Sequence, residues 1–198
     1  MTGPPPVALV TGFGPFLDVA DNPSGLVAAR LDGREVAGVT VRGRTLPVSY
    51  ARAPAALARQ LAALRPVCVV ALGAGRGDAI TLEGGARNRA NTPHPDCDGV
   101  TLVHTTLDPV ALPRLGCDLP LAAWARSLAR PGAPVVTSED AGGYVCNATY
   151  FALLMAKGIY NDRIFIHMPR RTDSAALAAA ERVVLSTIAR LVAATRGG

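Results

Sequence analysis

The chain of 198 residues is long enough to bury one sizeable core, and its 49% hydrophobic content is typical of a globular domain rather than a disordered segment. Its formal charge of +5 comes almost wholly from arginines, since Lys157 is the only lysine, and these arginines are scattered among alanines instead of clustered. Because phosphate contacts require a concentrated basic face, we expect no nucleic-acid partner.

The first residues, MTGPPPVALVTGF, have no basic start, and a glycine interrupts their apolar run early. A secretory signal or a membrane span needs a different pattern, so we expect a cytoplasmic protein with no membrane partner. In a reducing compartment its cysteines should be free thiols. None of the four lies in a C-x-x-C pair or at zinc-ligand spacing from a histidine, so we expect neither a metal site nor a cofactor. They are Cys68, Cys97, Cys117 and Cys146.

Short apolar runs alternate with helical patterns along the chain. The predicted strands span 7–11, 39–48, 67–73, 79–88, 100–105, 133–138 and 163–169. One predicted helix begins near Ser24, with that hydroxyl as its N-cap, and the others span 53–64, 118–129 with Asp118 as the cap, 145–156 and 174–193. No repeat or interdomain linker is visible. This order predicts one α/β domain over residues 1–198, a three-layer α/β/α sandwich around a mostly parallel twisted sheet.

Three chemically reactive side chains fall at or just past predicted strand ends, where open α/β sheets bind ligands. Cys146 opens the helix after APVVTS, His167 lies at the end of RIFIH, and Glu83 ends AITLE. The helix dipole and a nearby imidazolium favour a thiolate, and a carboxylate can hold the imidazole in one tautomer. The glycines before the cysteine allow backbone N–H groups to face an oxyanion. The pattern predicts nucleophilic catalysis by a thiol, although each residue also has a purely structural explanation.

Six ordered motifs make the chain resemble the pyroglutamyl peptidase I family of cysteine peptidases. They are TGFGPF, NPSG, ITLE with an asparagine five residues past its glutamate, PDCDG, AGGYVCN and FIHMP. AGGYVCN and FIHMP are the more specific of these. The resemblance extends from Val7 to about the final helix, so it covers nearly the whole chain.

This resemblance implies a role for each candidate residue. Cys146 matches the nucleophile of the family, His167 its general base and acid, and Glu83 the acidic partner of the histidine. Three positions match the substrate pocket: Phe13 and Phe16, which would flank the lactam ring of the substrate, and Asn22 near it.

The implied reaction removes an N-terminal pyroglutamate (5-oxoproline) from a peptide through an acyl-thioester. Two phenylalanines suit the flat, uncharged lactam, whereas a free N-terminal glutamate or glutamine carries an ammonium that is costly to bury unpaired. The expected partners are therefore small peptides with a blocked N-terminus. Since family members are often homotetramers, the resemblance also implies a homo-oligomer.

One loop departs from the family pattern. Residues 73–78 read GAGRGD where members usually have a sequence like G-x-A-G-G-R, which leaves the role of Arg76 open. The same glycines, at 73–77, resemble the first glycine motif of S-adenosylmethionine-dependent methyltransferases, although Ala71 stands where an acidic residue is usual. Two alternatives therefore remain: a methyltransferase, and a non-catalytic binding relative of the peptidase.

Overall fold

A seven-stranded sheet forms the centre of the computed structural model, which describes residues 5–16, 19–156 and 162–196. Within these residues the strands are β1 (Val7–Phe13), β2 (Glu35–Val36), β3 (Val39–Leu46), β4 (Cys68–Ala74), β5 (Ile80–Glu83), β6 (Gly85–Arg87), β7 (Arg89–Ala90), β8 (Thr105–Thr106), β9 (Arg114–Gly116), β10 (Val135–Ser138) and β11 (Arg163–Met168). The helices are α1 (Pro23–Leu31), α2 (Arg52–Leu64), α3 (Leu121–Leu128), α4 (Val145–Met155) and α5 (Ser174–Arg196). No helix of the described part of the chain is long and apolar enough to cross a membrane.

The strand order in the main sheet is β10-β5-β11-β4-β1-β3-β2. Four neighbouring pairs are parallel, namely β10 with β5, β11 with β4, β4 with β1, and β1 with β3. The pairs of β5 with β11 and of β2 with β3 are antiparallel. The prediction of a mostly parallel sheet is thus confirmed, and the reversal between β5 and β11 lies beside the candidate site.

Side chains of the central strands alternate between two cores, one on each face of the sheet. Ala8 and Val10 of β1 face a core that contains residues of α1, α3 and α5. Leu9 faces the other core, which contains residues of α2 and α4. The sheet therefore lies between two helical layers, and the predicted three-layer sandwich is confirmed.

Two predicted helix caps are wrong. The N-cap of α1 is Asn22, whose Oδ1 accepts the N–H of Ser24, while the Ser24 hydroxyl accepts the N–H of Phe13 instead. Helix α3 begins at Leu121 after Pro120, and the side chain of Asp118 does not cap it. A proline is tolerated at the start of a helix but disfavours helical geometry in the residue before it, which moves the start of α3 past the aspartate.

Some extended segments also differ from prediction, because hydrogen bonds within loops occupy the backbone groups that a strand would use. The predicted strand 100–105 reduces to the two-residue β8, because the carboxylate of Asp96 and the carbonyl of Leu102 hold this segment in a loop. The predicted segment 79–88 is two strands, β5 and β6, separated at Gly84. Short β2, which forms a hairpin with β3, was not predicted.

Candidate active site

A cavity of about 500 Å³ opens beyond the carboxyl ends of β1, β4 and β11, on the face of the sheet that carries α4. The structure brings all six predicted site residues to its wall: Phe13, Phe16, Asn22, Glu83, Cys146 and His167. This cavity is therefore the candidate site for the chemistry that the sequence suggests.

The thiol of Cys146 lies in the first turn of α4, as predicted. It is free and partly exposed. Gly142 has a φ of +89°, in the left-handed region, and this turn leads the chain into the helix. No side chain caps the N-terminus of α4, and its first turn contains no acidic residue. The unpaired N–H groups and the positive dipole end therefore act on the thiol and on any anion beside it.

His167 projects from β11 toward the same cavity. Its neighbours Ile164 and Ile166 face the opposite core, so alternation along the strand places His167 on the α4 face together with Phe165. The two rings lie with their centroids 4.9 Å apart. The imidazole Nδ1 is 2.8 Å from Oε1 of Glu83, and that hydrogen bond orients the ring.

Glu83 reaches the site by a route that the sequence analysis did not foresee. Because β5 is antiparallel to β11, its carboxyl end does not lie at the same sheet edge as that of β11. In the observed register Glu83 pairs with Phe165 and Thr81 pairs with His167. Glu83 is thus the diagonal neighbour of His167 on one face, within reach of a long side chain. Glu83 therefore lines the cavity, as expected, but the stated reason, a shared edge of carboxyl ends, was wrong.

The electrostatics of this group favour a charged imidazole. Burial lowers the pKa of His167, but hydrogen bonds to Cys146 and Glu83 and the negative charges of both groups outweigh burial and raise the pKa to about 9. Within the described residues, Oε2 of the buried Glu83 carboxylate has no hydrogen-bond partner. The imidazolium is therefore the counter-ion of this carboxylate, and near neutral pH it stands beside the sulfur.

Aromatic rings also line the cavity. Phe13 is buried and Phe16 is half-buried. The ring of Tyr144 lies 6.2 Å from that of Phe16, and its hydroxyl donates to the carbonyl of Pro95. Tyr144, which the sequence analysis missed, is next but one to the cysteine, and only that proximity could have suggested it.

Asn22 lines the cavity, but most of its polar atoms serve the fold. Its Oδ1 accepts the N–H and the hydroxyl of Ser24, and its Nδ2 donates to the carbonyl of Gly14. These bonds hold the start of α1 against the end of β1. One N–H of the amide is left to face a ligand.

Two further residues that were not predicted as site residues shape the site, and the sequence analysis noted Gly73 only as part of a glycine motif. A Cβ on Gly73 would lie 2.9 Å from the Cys146 sulfur and 2.9 Å from the buried ring of Phe165, so only glycine fits there. Asn147 is fully buried, accepts the N–H of Arg87 and donates to the carbonyls of Arg87 and Arg89, which ties the segment after β5 to α4. In the sequence these residues are only a glycine that ends an apolar strand and an asparagine that follows the cysteine. Both features are common in unrelated proteins, so they do not identify a site.

Comparison with known proteins relates this arrangement to one family. Residues 7–195 match the model of a family described as pyroglutamyl peptidase. A pyrrolidone-carboxylate peptidase of Mycobacterium tuberculosis is 34% identical over 176 residues, which cover 85% of this chain and 79% of the relative. One of Gloeobacter violaceus is 36% identical over 170 residues, covering 84% and 83%. The solved structure of a pyrrolidone carboxyl peptidase from Thermococcus litoralis superimposes with a TM-score of 0.85 at 30% identity, covering 92% of this chain and 91% of that one.

The packing around Gly73 yields a first prediction. In Gly73→Ala the new methyl group meets the sulfur and a fully buried ring, so we expect a loss of about 1–3 kcal/mol in the free energy of unfolding. We also expect the sulfur to be displaced from His167 and Cys146 to react several-fold more slowly with iodoacetamide, measured by peptide mapping.

Gly77→Ala is the matched control, because a Cβ there meets no atom within 4 Å. Unchanged stability and unchanged alkylation in Gly73→Ala would contradict the described packing.

Proposed function

The chain belongs to the pyroglutamyl peptidase family, and we propose that it is a single-domain cysteine exopeptidase that removes N-terminal pyroglutamate from peptides. The observation that carries this proposal is the 2.8 Å hydrogen bond between Glu83 and His167, next to the Cys146 thiol and facing aromatic rings. In this proposal Cys146 is the nucleophile, His167 the general acid and base, and Glu83 the group that orients and charges the imidazole.

The reaction begins from a thiolate of Cys146 and an imidazolium of His167. The sulfur attacks the pyroglutamyl carbonyl, and N–H groups at the start of α4 stabilise the oxyanion. Collapse breaks the C–N bond while the imidazolium gives its proton to the leaving amine, which leaves an acyl-thioester and a neutral imidazole. That imidazole then takes a proton from water as the water attacks the thioester. Expulsion of the thiolate releases pyroglutamate and restores the starting ion pair.

Specificity for the lactam follows from the walls of the cavity. Phe13 and Phe16 offer apolar faces to a flat ring, and the remaining N–H of Asn22 is available to its amide edge. A free N-terminus would carry its ammonium into this apolar slot without a counter-ion, at a cost of several kcal/mol. We therefore propose that peptides with a free N-terminal glutamine are poor substrates.

The alternatives from the glycine-rich loop are less well supported. Gly73 packs against the sulfur of Cys146, and a Cβ on Gly75 would lie 3.2 Å from Cβ of His167. Close packing against these two side chains accounts for Gly73 and Gly75 without a methyl-donor cofactor. A non-catalytic relative would not need the buried imidazole–carboxylate pair, which is costly to build.

We also infer that the chain assembles into a homo-oligomer in the cytoplasm, and we propose a tetramer. Large apolar side chains are exposed between β7 and β9, including Val110 at 91% and Leu112 at 67%. Apolar groups clustered in this way favour contact with a second copy. The four cysteines, all free, are consistent with a reducing compartment.

The decisive test of function uses a pyroglutamyl amidomethylcoumarin substrate. We expect the wild type to release the fluorophore, Cys146→Ala to lose this activity, and the corresponding free glutaminyl substrate to be cleaved at least about 100-fold more slowly. Cys97→Ser is the control, because it removes an exposed thiol that does not line the cavity. Pyroglutamyl binding without hydrolysis would favour the non-catalytic relative, and methyl transfer from S-adenosylmethionine that resists alkylation would favour the methyltransferase.

A second prediction concerns the alkaline limb of the pH profile. His167 must carry a proton to expel the amine, so kcat/KM should fall as the pH rises through about 9, where the imidazolium loses that proton. Glu83→Gln removes a charge that raises the pKa of His167, so the fall should begin at a lower pH and kcat/KM should drop at least about tenfold.

Glu35→Gln, at an exposed carboxylate of β2, serves as the control and should leave the profile unchanged. An alkaline limb at the same pH in Glu83→Gln and wild type would show that the carboxylate does not act through the imidazole.

The oligomer is tested by light scattering after size-exclusion chromatography. We expect a mass of at least two chains for the wild type and a lower mass for a variant with Val110→Asp and Leu112→Asp, because charges are costly to bury in an apolar contact. Val136→Asp, at an exposed valine of the edge strand β10, is the control. A monomeric wild type would refute the assembly.

A further inference from the structure

Two arginines, Arg76 and Arg170, follow neighbouring strands at the mouth of the cavity. Both line the cavity and both are exposed. They follow β4 and β11, which are parallel neighbours with Gly73 opposite His167 and Ala74 opposite Met168. Beyond the strands the N–H of Gly75 donates to the carbonyl of Met168. The two backbone segments therefore stay adjacent, and their register continues toward the two arginines.

Neither guanidinium is neutralised by a carboxylate of the described residues. The two carboxylates of the cavity wall are already paired, Glu83 with His167 and Asp140 with Arg87 at 2.9 Å. Arg170 instead lies over the ring of Phe16, 5.4 Å from its centroid. The mouth therefore presents two positive charges that are available to an anion.

The position of His167 indicates which part of a substrate meets these charges. With the lactam between the phenylalanines and its carbonyl at Cys146, the leaving amine must approach the imidazole that protonates it. Gly75 lies against Cβ of His167, and Arg170 follows that histidine by three residues. The residues released with the amine thus pass over the two arginines.

We propose that Arg76 and Arg170 form a carboxylate-binding subsite for the part of the peptide that follows pyroglutamate. This inference rests on the proposed function and extends it to the preferred substrates. Guanidinium groups bind carboxylates through paired, charge-assisted hydrogen bonds. The carboxylate is either an acidic side chain next to pyroglutamate or the terminal carboxylate of a pyroglutamyl dipeptide. The stacking of Arg170 on Phe16 also connects the subsite to the wall of the lactam slot.

The experiment compares substrates that differ only in one charge. Pyroglutamyl-Glu-Ala amide and pyroglutamyl-Gln-Ala amide distinguish a side-chain carboxylate, and pyroglutamyl-Ala as free acid and as amide distinguish a terminal one. In at least one pair we expect kcat/KM to favour the charged member by about 1.5-fold to fivefold, the range for exposed ion pairs. The preference should shrink in high salt, which screens exposed charges, and this needs no variant.

The variants assign the preference to residues. A double variant with Arg76→Gln and Arg170→Gln should bring the charged-to-neutral ratio to about one, and Arg76→Gln alone, at an exposed side chain, should lower it in part. Arg59→Gln is the control, since Arg59 is exposed on α2 and does not line the cavity. It should keep both the activity and the ratio.

The outcomes separate this inference from the proposed function. If the wild type cleaves none of the four substrates, the proposed function is wrong and the subsite falls with it. If the neutral substrates are cleaved and no charged member is preferred, the function stands and the subsite is refuted. A preference that survives in the double variant would overturn the assignment to these arginines.

Discussion

The buried pair of Glu83 and His167 is the interaction on which the rest of the site depends. A carboxylate whose side chain is only 3% exposed is costly to keep charged unless a cation stays beside it. Here that cation is the imidazolium, held at 2.8 Å. The same hydrogen bond orients the ring and raises its pKa to about 9, together with the sulfur. Because the buried carboxylate of Glu83 needs a cation beside it, the fold keeps His167 protonated. The imidazolium can therefore donate a proton at neutral pH.

This pair exists because the sheet reverses direction once beside it. If β5 were parallel to β11, the end of β5 would lie at the same edge as the end of β11, and its glutamate would follow the strand outward. The antiparallel register instead sets Glu83 across from Phe165, one diagonal step from His167, inside the sheet. The acid is therefore buried under the imidazole instead of standing in solvent. Helix α4 then covers this face and contributes the thiol from its first turn.

Much of this arrangement could be predicted from sequence, and the failures have physical causes. Apolar runs such as β4 and β11 are long and unbroken, so their pattern alone identifies buried strands. The cap of α1 was mispredicted because the Ser24 hydroxyl accepts the N–H of Phe13, which is 11 residues away. The strand at 100–105 was mispredicted because the nearby carboxylate of Asp96 accepts the N–H of Val100. The direction of β5 depends on pairing that no local pattern encodes.

The positive charge at the mouth of the cavity also affects the protonation of His167. Two cations near His167 would by themselves favour loss of its proton, and the proposed mechanism requires that proton. The guanidiniums are exposed and screened by solvent, whereas Glu83 acts through a buried hydrogen bond, so the buried charge dominates. The two arginines can therefore lie at the mouth of the cavity without removing the proton from His167. When an anionic peptide occupies that exit, it neutralises the two guanidinium groups and removes this opposing field, so a larger fraction of His167 keeps its proton until the amine leaves.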